Sequence, residues 1–315
     1  MKRFLGIDIG GTKSAVCTGD AAARVFARRE FATGQGPDAT LAALEMHARD
    51  LLQETGRIDA IGIVCGGPLC AKTGLVLSPP NLPGWAAVPV TRYFSERFGV
   101  AAFLQNDANA GALAEWRYGA GRGSRNLMFC TMGTGFGCGL ILEGRLYEGT
   151  NGNAGELGHV RLTPDGPVGY GKAGSVEGFC GGGGIAQLAR LRLDEHRAAG
   201  RTSALSELKA LLAKSVAEAA RQDDALALQI YAEVGEKLGR ALALAVDLLN
   251  LDRIVVGSIF ARNEALIRPA MERVMQEECL AEALRVCTVR AAELGDRIGD
   301  AAALTVAQNG LEAMQ

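Results

Sequence analysis

Apolar residues in this chain come in short runs broken by glycine. Arg3–Ile9, about Ser14–Thr18 and about Arg24–Glu30 read as strands, and Asp8-Ile9-Gly10-Gly11-Thr12 makes a tight turn between the first two. Behind Pro37 and Asp38, Leu41, Leu44, Ala48, Leu51 and Leu52 recur at helical spacing and predict a helix over Ala39–Glu54. Ala60–Cys65 predicts a short buried strand. Gly66-Gly67-Pro68 and Ser78–Trp85 cannot be helix interior and read as loops flanking a short strand near Leu75–Leu77. Ala101–Gln105 is a further strand, followed by Asn106-Asp107-Ala108-Asn109 and a helix over Ala110–Arg117. Strand, turn and helix repeating at short intervals is an α/β pattern.

The small, polar stretch Gly119–Ser124 predicts a domain boundary. A second strand-turn-strand unit follows, Asn126–Met132 and Phe136–Leu142, hinged on Gly133-Thr134-Gly135. Beyond it lie a long helix over about Asp223–Leu249, a strand Ile254–Val256 ending in Gly257-Ser258 with helix after it, a strand Arg285–Val289, and a terminal helix Asp300–Glu312. Both halves thus carry a strand, a Gly/Thr turn and a second strand. That hints at related domains, without a regular repeat.

A length of 315 residues allows roughly two domains. Lys plus Arg number 33 against 35 Asp plus Glu, which gives no electrostatic reason for a nucleic-acid surface or a polybasic membrane anchor. No apolar run approaches the ~18 residues of a membrane span. The opening meets Asp8 and a glycine pair too early for a signal peptide, and eight cysteines without a CxxC pair point to a reducing cytoplasm.

A Gly/Thr turn between strands packs backbone N–H groups around a concave spot, and threonine adds a hydroxyl; such a nest suits phosphate oxygens. In the first turn, Asp8 precedes Gly10, Gly11, Thr12 and Lys13, and a carboxylate beside phosphates can organise Mg²⁺ or its water shell. The alternative is an ordinary hairpin turn. The second turn, around Gly133, Thr134 and Gly135, has the same character, and two such turns suggest two clamps on a polyphosphate. Neither matches a P-loop or the GxGxxG dinucleotide fingerprint.

Asn106-Asp107 ends an apolar strand and precedes a helix. Asp107 could be a helix N-cap. It could equally accept a proton from a hydroxyl attacking phosphorus, with Asn106 on a neighbouring hydroxyl. Glu156 and His159 are three residues apart, so one turn could bring both to a ligand. His47 and His196 sit in ordinary helical or charged surroundings, and Glu177, ahead of the run Gly181–Gly184, is a weaker candidate.

Together these segments resemble the ROK family of bacterial sugar kinases and related repressors. The resemblance rests on Asp8-Ile9-Gly10-Gly11-Thr12-Lys13, Asn81-Leu82-Pro83-Gly84-Trp85, Asn106-Asp107-Ala108-Asn109-Ala110, Met132–Gly137 and Gly155-Glu156-Leu157-Gly158-His159. It implies a two-domain α/β fold, actin/hexokinase-like (ribonuclease H-like). The smaller domain would comprise residues 1–118 with a terminal helix over about 298–315, the larger one 119–297, with the active site in the cleft between them. Asp8, Gly10, Gly11, Thr12, Lys13, Gly133, Thr134 and Gly135 would clasp the phosphates of ATP. Asp8 would hold Mg²⁺ directly or through water, and Gly257 and Ser258 would replace the family's glycine pair near the adenosine. Gly67, Asn81, Asn106, Asp107, Glu156, His159 and Glu177 would surround a hexose, with Asp107 as the base.

The family's CxCGxxGC zinc run corresponds here to Val168–Ser175, which has lost all three cysteines, so no zinc site is expected. The phosphate turn starts at residue 8, leaving no room ahead of it for the repressors' DNA-binding helix-turn-helix. The expectation is therefore a cytoplasmic, homodimeric hexose kinase, with glucose the first guess and N-acetylglucosamine or N-acetylmannosamine the alternatives. A non-catalytic sugar sensor and another phosphoryl-transfer enzyme on the same fold are the competing functions.

Overall fold

The computed structural model describes residues 2–314, which form two compact units. The first contains the described residues up to Arg122, Leu146–Ala154, and those from Glu293 onward; the second contains Gly123–Arg145 and Gly155–Ala292.

The first unit is built on a five-stranded sheet in the order Val25–Ala32, Lys13–Asp20, Arg3–Ile9, Ala60–Cys65, Ala101–Asn106. The first three strands are antiparallel neighbours and the last three are parallel. In register, Ile9 pairs with Cys65 and Cys65 with Asn106, so three strands end together and point their following loops to one edge. Leu41, Leu44, Ala48 and Leu51 of the helix Gly36–Thr55 join Leu5, Ile7, Ile61 and Ile63 in one core. Fully burying each leucine or isoleucine among them contributes roughly 1.5–3 kcal/mol. The other face takes the terminal helix Ile298–Ala313, whose Leu304 and Ala307 pack with Phe4, Cys17 and Ala60. That helix presses so close that a Cβ on Gly62 would lie 1.9 Å from the carbonyl oxygen of Ala303. Only glycine fits there.

The second unit repeats the plan. Its sheet runs Phe136–Leu142, Leu127–Met132, Arg253–Val256, Thr288–Ala291, with an antiparallel hairpin leading into parallel neighbours. The long helix Ala225–Leu249 is capped by Asp224, which accepts from the backbone N–H of Ala227 (2.9 Å). It meets the helix Glu264–Glu278 at Gly235 and Gly239, where added Cβ atoms would come within 2.5 and 2.6 Å of the Ile267 and Met271 carbonyl oxygens.

Several boundaries differ from the sequence reading. Leu146–Ala154 returns to the first unit: Gln105 Nε2 donates to Glu148 Oε1 (2.9 Å), and the Ala154 N–H donates to the Glu148 carbonyl oxygen (3.1 Å). The first unit also extends to Arg122 and resumes at Glu293 because Glu115 is fully buried there. Its carboxylate accepts from the backbone N–H groups of Ala120, Glu293 and Leu294 (2.8, 3.2 and 2.9 Å). The late strand is Thr288–Ala291, since Ala281–Val286 is helical. Gly182–Ala198 is a helix despite its opening glycines. Among the described residues, no helix is long and apolar enough to cross a membrane.

Candidate active site

In the first unit, the turn after Arg3–Ile9 is a tight hairpin: the Gly10 N–H donates to the Lys13 carbonyl oxygen (3.2 Å). Thr33 holds its carbonyls from behind, its hydroxyl donating to Gly10 O (2.6 Å) and its N–H to Thr12 O (3.0 Å). Gly11 and Thr12 are exposed at the tip. A Cβ on Gly11 would lie 2.6 Å from the Asn81 carbonyl oxygen, so the loop carrying Asn81 lies directly against the turn. Lys13 instead pairs with Glu30 on the adjoining strand (2.7 Å). Gly67, in the exposed loop after Cys65, makes no comparably close approach.

Asp8 sits at the end of this strand and is largely buried. Burial pushes its carboxyl up to about 6, and the negative charges of Asp300 and Asp107 add to the push. The terminal helix also abuts it: a Cβ on Gly299 would lie 2.8 Å from Asp8 Oδ2. Arg28 binds Asp300 and Glu30 (both 2.9 Å) and partly offsets this negative cluster.

Asp107 is the first residue of the helix Asp107–Tyr118, but it does not cap it. Asn106 does, through Oδ1 accepting from the Asn109 N–H (2.7 Å). Asp107 Oδ1 accepts only locally, from the Ala108 N–H (2.9 Å). Its surface is open to water, yet the protein crowding the carboxylate raises its pKa above the ordinary value, against the lowering effect of that backbone bond. Gln105 is buried beneath this corner. Its Oε1 accepts from Asn106 N (2.8 Å) and Asn109 Nδ2 (3.1 Å), which stiffens the strand-to-helix junction.

In the second unit, the Gly133–Gly135 turn is braced by neighbouring backbone. The N–H of Gly182 donates to Gly133 O (2.9 Å) and that of Gly183 to Thr134 O (3.4 Å). Ser258 approaches the same turn: a Cβ on Gly133 would stand 4.0 Å from its Oγ. Gly257 is buried, its N–H donating to Cys130 O (2.9 Å), and Ser258 adopts φ 55° and ψ −111°, a backbone state suited to glycine. Glu177 also reaches this turn. Its Oε2 accepts from the Phe136 N–H (2.9 Å), while its Cβ lies near Gly158 and Gly169. One residue therefore joins the turn to the loop carrying His159.

Leu157–His159 forms a single 3₁₀ turn that brings Glu156 Oε2 within 3.7 Å of His159 Nε2. The imidazole packs edge-on against Tyr170, ring centroids 5.2 Å apart. The residues that stand in the zinc run do not fit that ion. Val168 and Gly169 pair with Ala173 and Lys172 in a small hairpin, Ser175 caps the next helix by accepting from Gly178 N (3.1 Å), and Cys180 is buried with its thiol pushed well up by desolvation. Among the described residues no group of three or more His, Cys, Asp or Glu side chains could hold a metal ion. Mg²⁺ binds through one or two carboxylates plus substrate phosphates, and Asp8 offers the hard oxygen donors it takes.

Thr33, Gln105, Gly299 and Asp300 escaped sequence reasoning. Gly299-Asp300 at the start of an apolar helix was the only local signal. Nothing near Thr33 or Gln105 marks a supporting role.

The ROK family model matches residues 4–309. A glucokinase of Halalkalibacterium halodurans is 31% identical over 277 residues, covering 84% of this chain and 83% of its own. An N-acetylmannosamine kinase of Salmonella typhi is 31% identical over 278 residues, covering 87% and 88%. The crystal structure of a ROK-family glucokinase from Streptomyces griseus, in complex with glucose and AMPPNP, superposes with a TM-score of 0.78 at 29% identity, covering 98% of this chain and 100% of that one.

Proposed function

The chain belongs to the ROK family and is an ATP-dependent sugar kinase of the mixed α/β actin/hexokinase superfamily; on that premise we propose that it phosphorylates a primary hydroxyl, O6, of a hexose, glucose first. The observation that carries this reading is Asp107: a crowded, raised carboxylate at a strand end, relieved of helix capping by Asn106. The attacking hydroxyl oxygen bonds to the γ-phosphorus, the bond from that phosphorus to the ADP oxygen breaks, and Asp107 takes the hydroxyl proton.

Asp8, Gly10, Gly11, Thr12, Lys13, Gly133, Thr134 and Gly135 engage the phosphates, with Gly257 and Ser258 at the adenosine. Mg²⁺, bound through Asp8, supplies charge neutralisation on the phosphates. Gly67, Asn81, Asn106, Glu156, His159 and Glu177 bind the sugar; since Glu177 Oε2 is committed to Phe136, its sugar contact falls to Oε1. Lys13 reaches phosphate by releasing Glu30, an exchange between exposed groups that costs little. The near-neutral charge suits a protein with no nucleic-acid partner, and a homodimer is the proposed assembly.

The similarity to an N-acetylmannosamine kinase keeps N-acetylhexosamines in the test. The protein is incubated with ATP, Mg²⁺ and a panel of hexoses and N-acetylhexosamines, and products are weighed by mass spectrometry. Phosphorylated glucose, lost in D107A, is the expected outcome. An N-acetylhexosamine as the sole product replaces the substrate and keeps the mechanism. Undiminished turnover in D107A removes Asp107 as base, and ATP and sugar binding without turnover by the wild type leaves a sensor.

A further inference from the structure

The loop bearing Glu156 and His159 is one short turn, yet two side chains from beyond it tie its surroundings down. Lys172, on the Val168–Ala173 hairpin, places Nζ 2.7 Å from the carbonyl oxygen of His159 itself. Gln187, on the helix Gly182–Ala198, clamps that hairpin at its other strand: the Val168 N–H donates to Gln187 Oε1 (3.0 Å), and Gln187 Nε2 donates to Val168 O (2.9 Å).

Between these anchors the backbone is continuous. Val176 N–H donates to Val160 O (2.9 Å), Leu162 N–H to Gly174 O (2.8 Å), and Ser175 Oγ to Lys172 O (3.0 Å). Gly169 packs so tightly on the following helix that a Cβ there would lie 2.5 Å from Gly178 N. The hairpin is therefore a rigid plate, and Lys172 attaches it to the His159 turn through a charged group.

We propose that this hydrogen-bonded staple takes over, without metal, the holding of the His159 turn, and that Lys172 is a positioning residue that sets Glu156 and His159 for the sugar. The proposal rests on the reading above that this turn contacts sugar. Lys172 touches the backbone of the turn and no reacting atom. Its charge-assisted bond fixes the carbonyl of His159, so the peptide plane and the imidazole direction follow from it. A neutral side chain of equal length keeps the packing and loses the bond.

The test compares wild type, K172M and K172R with a sugar that the wild type phosphorylates, and follows amide hydrogen exchange over residues 156–162. K172M is expected to raise the sugar KM about tenfold, the loss of one charge-assisted bond, with kcat and the ATP KM within about twofold. Exchange across the turn should accelerate, K172R should restore most of both effects, and elemental analysis of the purified wild type should find no stoichiometric zinc. An unchanged sugar KM with unchanged exchange overturns the proposal. So does a parallel loss of sugar affinity, ATP affinity and melting temperature, which is general damage, and so does bound zinc whose removal loosens the same amides. If no sugar is turned over, the kinase reading fails and exchange alone decides: slow amides in K172M then sink the staple.

Discussion

Glu177 Oε2 accepts a hydrogen bond from the backbone N–H of Phe136 at 2.9 Å, and so fastens the helix Val176–Cys180 to the first strand residue after a glycine turn, 41 positions earlier. The fit is tight: a Cβ on Gly135 would lie 2.5 Å from the same oxygen. Removing the carboxylate in E177A leaves the turn less well held, and a charge-assisted bond of this kind is worth roughly 1.5–3 kcal/mol. The expected result is an ATP KM raised three- to tenfold in E177A and by less in E177Q, whose amide oxygen can still accept. G135A should displace the same carboxylate, so the double variant should lose less than the sum of the two single variants in a kinetic cycle. Additive losses would show that the two residues act separately.

Ser258 holds φ 55° and ψ −111°, where a Cβ is strained and glycine is at ease. S258G should relieve that strain, and after the extra chain entropy of glycine the net gain should be about 1 kcal/mol. Thermal unfolding reads it as a higher Tm, with the ATP KM within about twofold. A lower Tm would mean that the serine hydroxyl contributes more than its backbone costs.

The parts of this molecule that sequence made legible are those governed by local chemistry. The two Gly/Thr turns, the strand into Asn106 and the Glu156–His159 spacing all declare themselves within a few residues. The capping role stays open in the sequence, because Asn106 and Asp107 are both good caps and only the backbone angles decide between them. Gly182–Ala198 was invisible as a helix because glycine propensity opposes it. The glycines are there for contact: a Cβ on Gly184 would sit 1.8 Å from Gly178 O. The Asp8–Gly299 approach and the Glu177–Phe136 bond are tertiary facts between distant positions, and no window of sequence contains them.

Asp8 is held at about 6 against an ordinary 3.8, so the folded state binds more protons than the unfolded chain between those values. Stability falls as pH rises through that window, and the whole penalty is present above pH 6. D8N removes it. After discounting for partial exposure, the variant should be more stable than wild type by roughly 1–2 kcal/mol at pH 7.5, with the gain vanishing near pH 4. Its kinase activity should be severely reduced, which identifies strain kept for function. Equal Tm values at pH 7.5 would remove the argument.

In the wild type the same pushes should shape the acid limb of catalysis. As the proposed base, Asp107 must be ionised to accept a proton, and its pKa is raised by the protein crowding its carboxylate, so kcat should begin to fall above the ordinary aspartate range as pH drops. Affinity for ATP with Mg²⁺ should weaken below about pH 6 as Asp8 gains its proton. Pre-steady-state rates at saturating ATP separate the two. A flat profile down to pH 4 would contradict both assignments.

Asn106 and Asp107 stand next to each other but do different work, and one pair of substitutions should divide them. Asn106 Oδ1 satisfies the Asn109 N–H at the start of Asp107–Tyr118, a bond whose loss costs about 1 kcal/mol. N106A should therefore lower Tm, and the missing sugar contact should raise the sugar KM. D107N removes the proton acceptor and leaves the cap intact, so Tm should be unchanged or higher, since a crowded charge is gone. Its kcat should fall by a factor of about 10²–10⁴, the usual span for a general base, with the sugar KM nearly constant. If D107N instead lost stability and kept its kcat, Asp107 would be a structural residue and the base would have to be sought elsewhere.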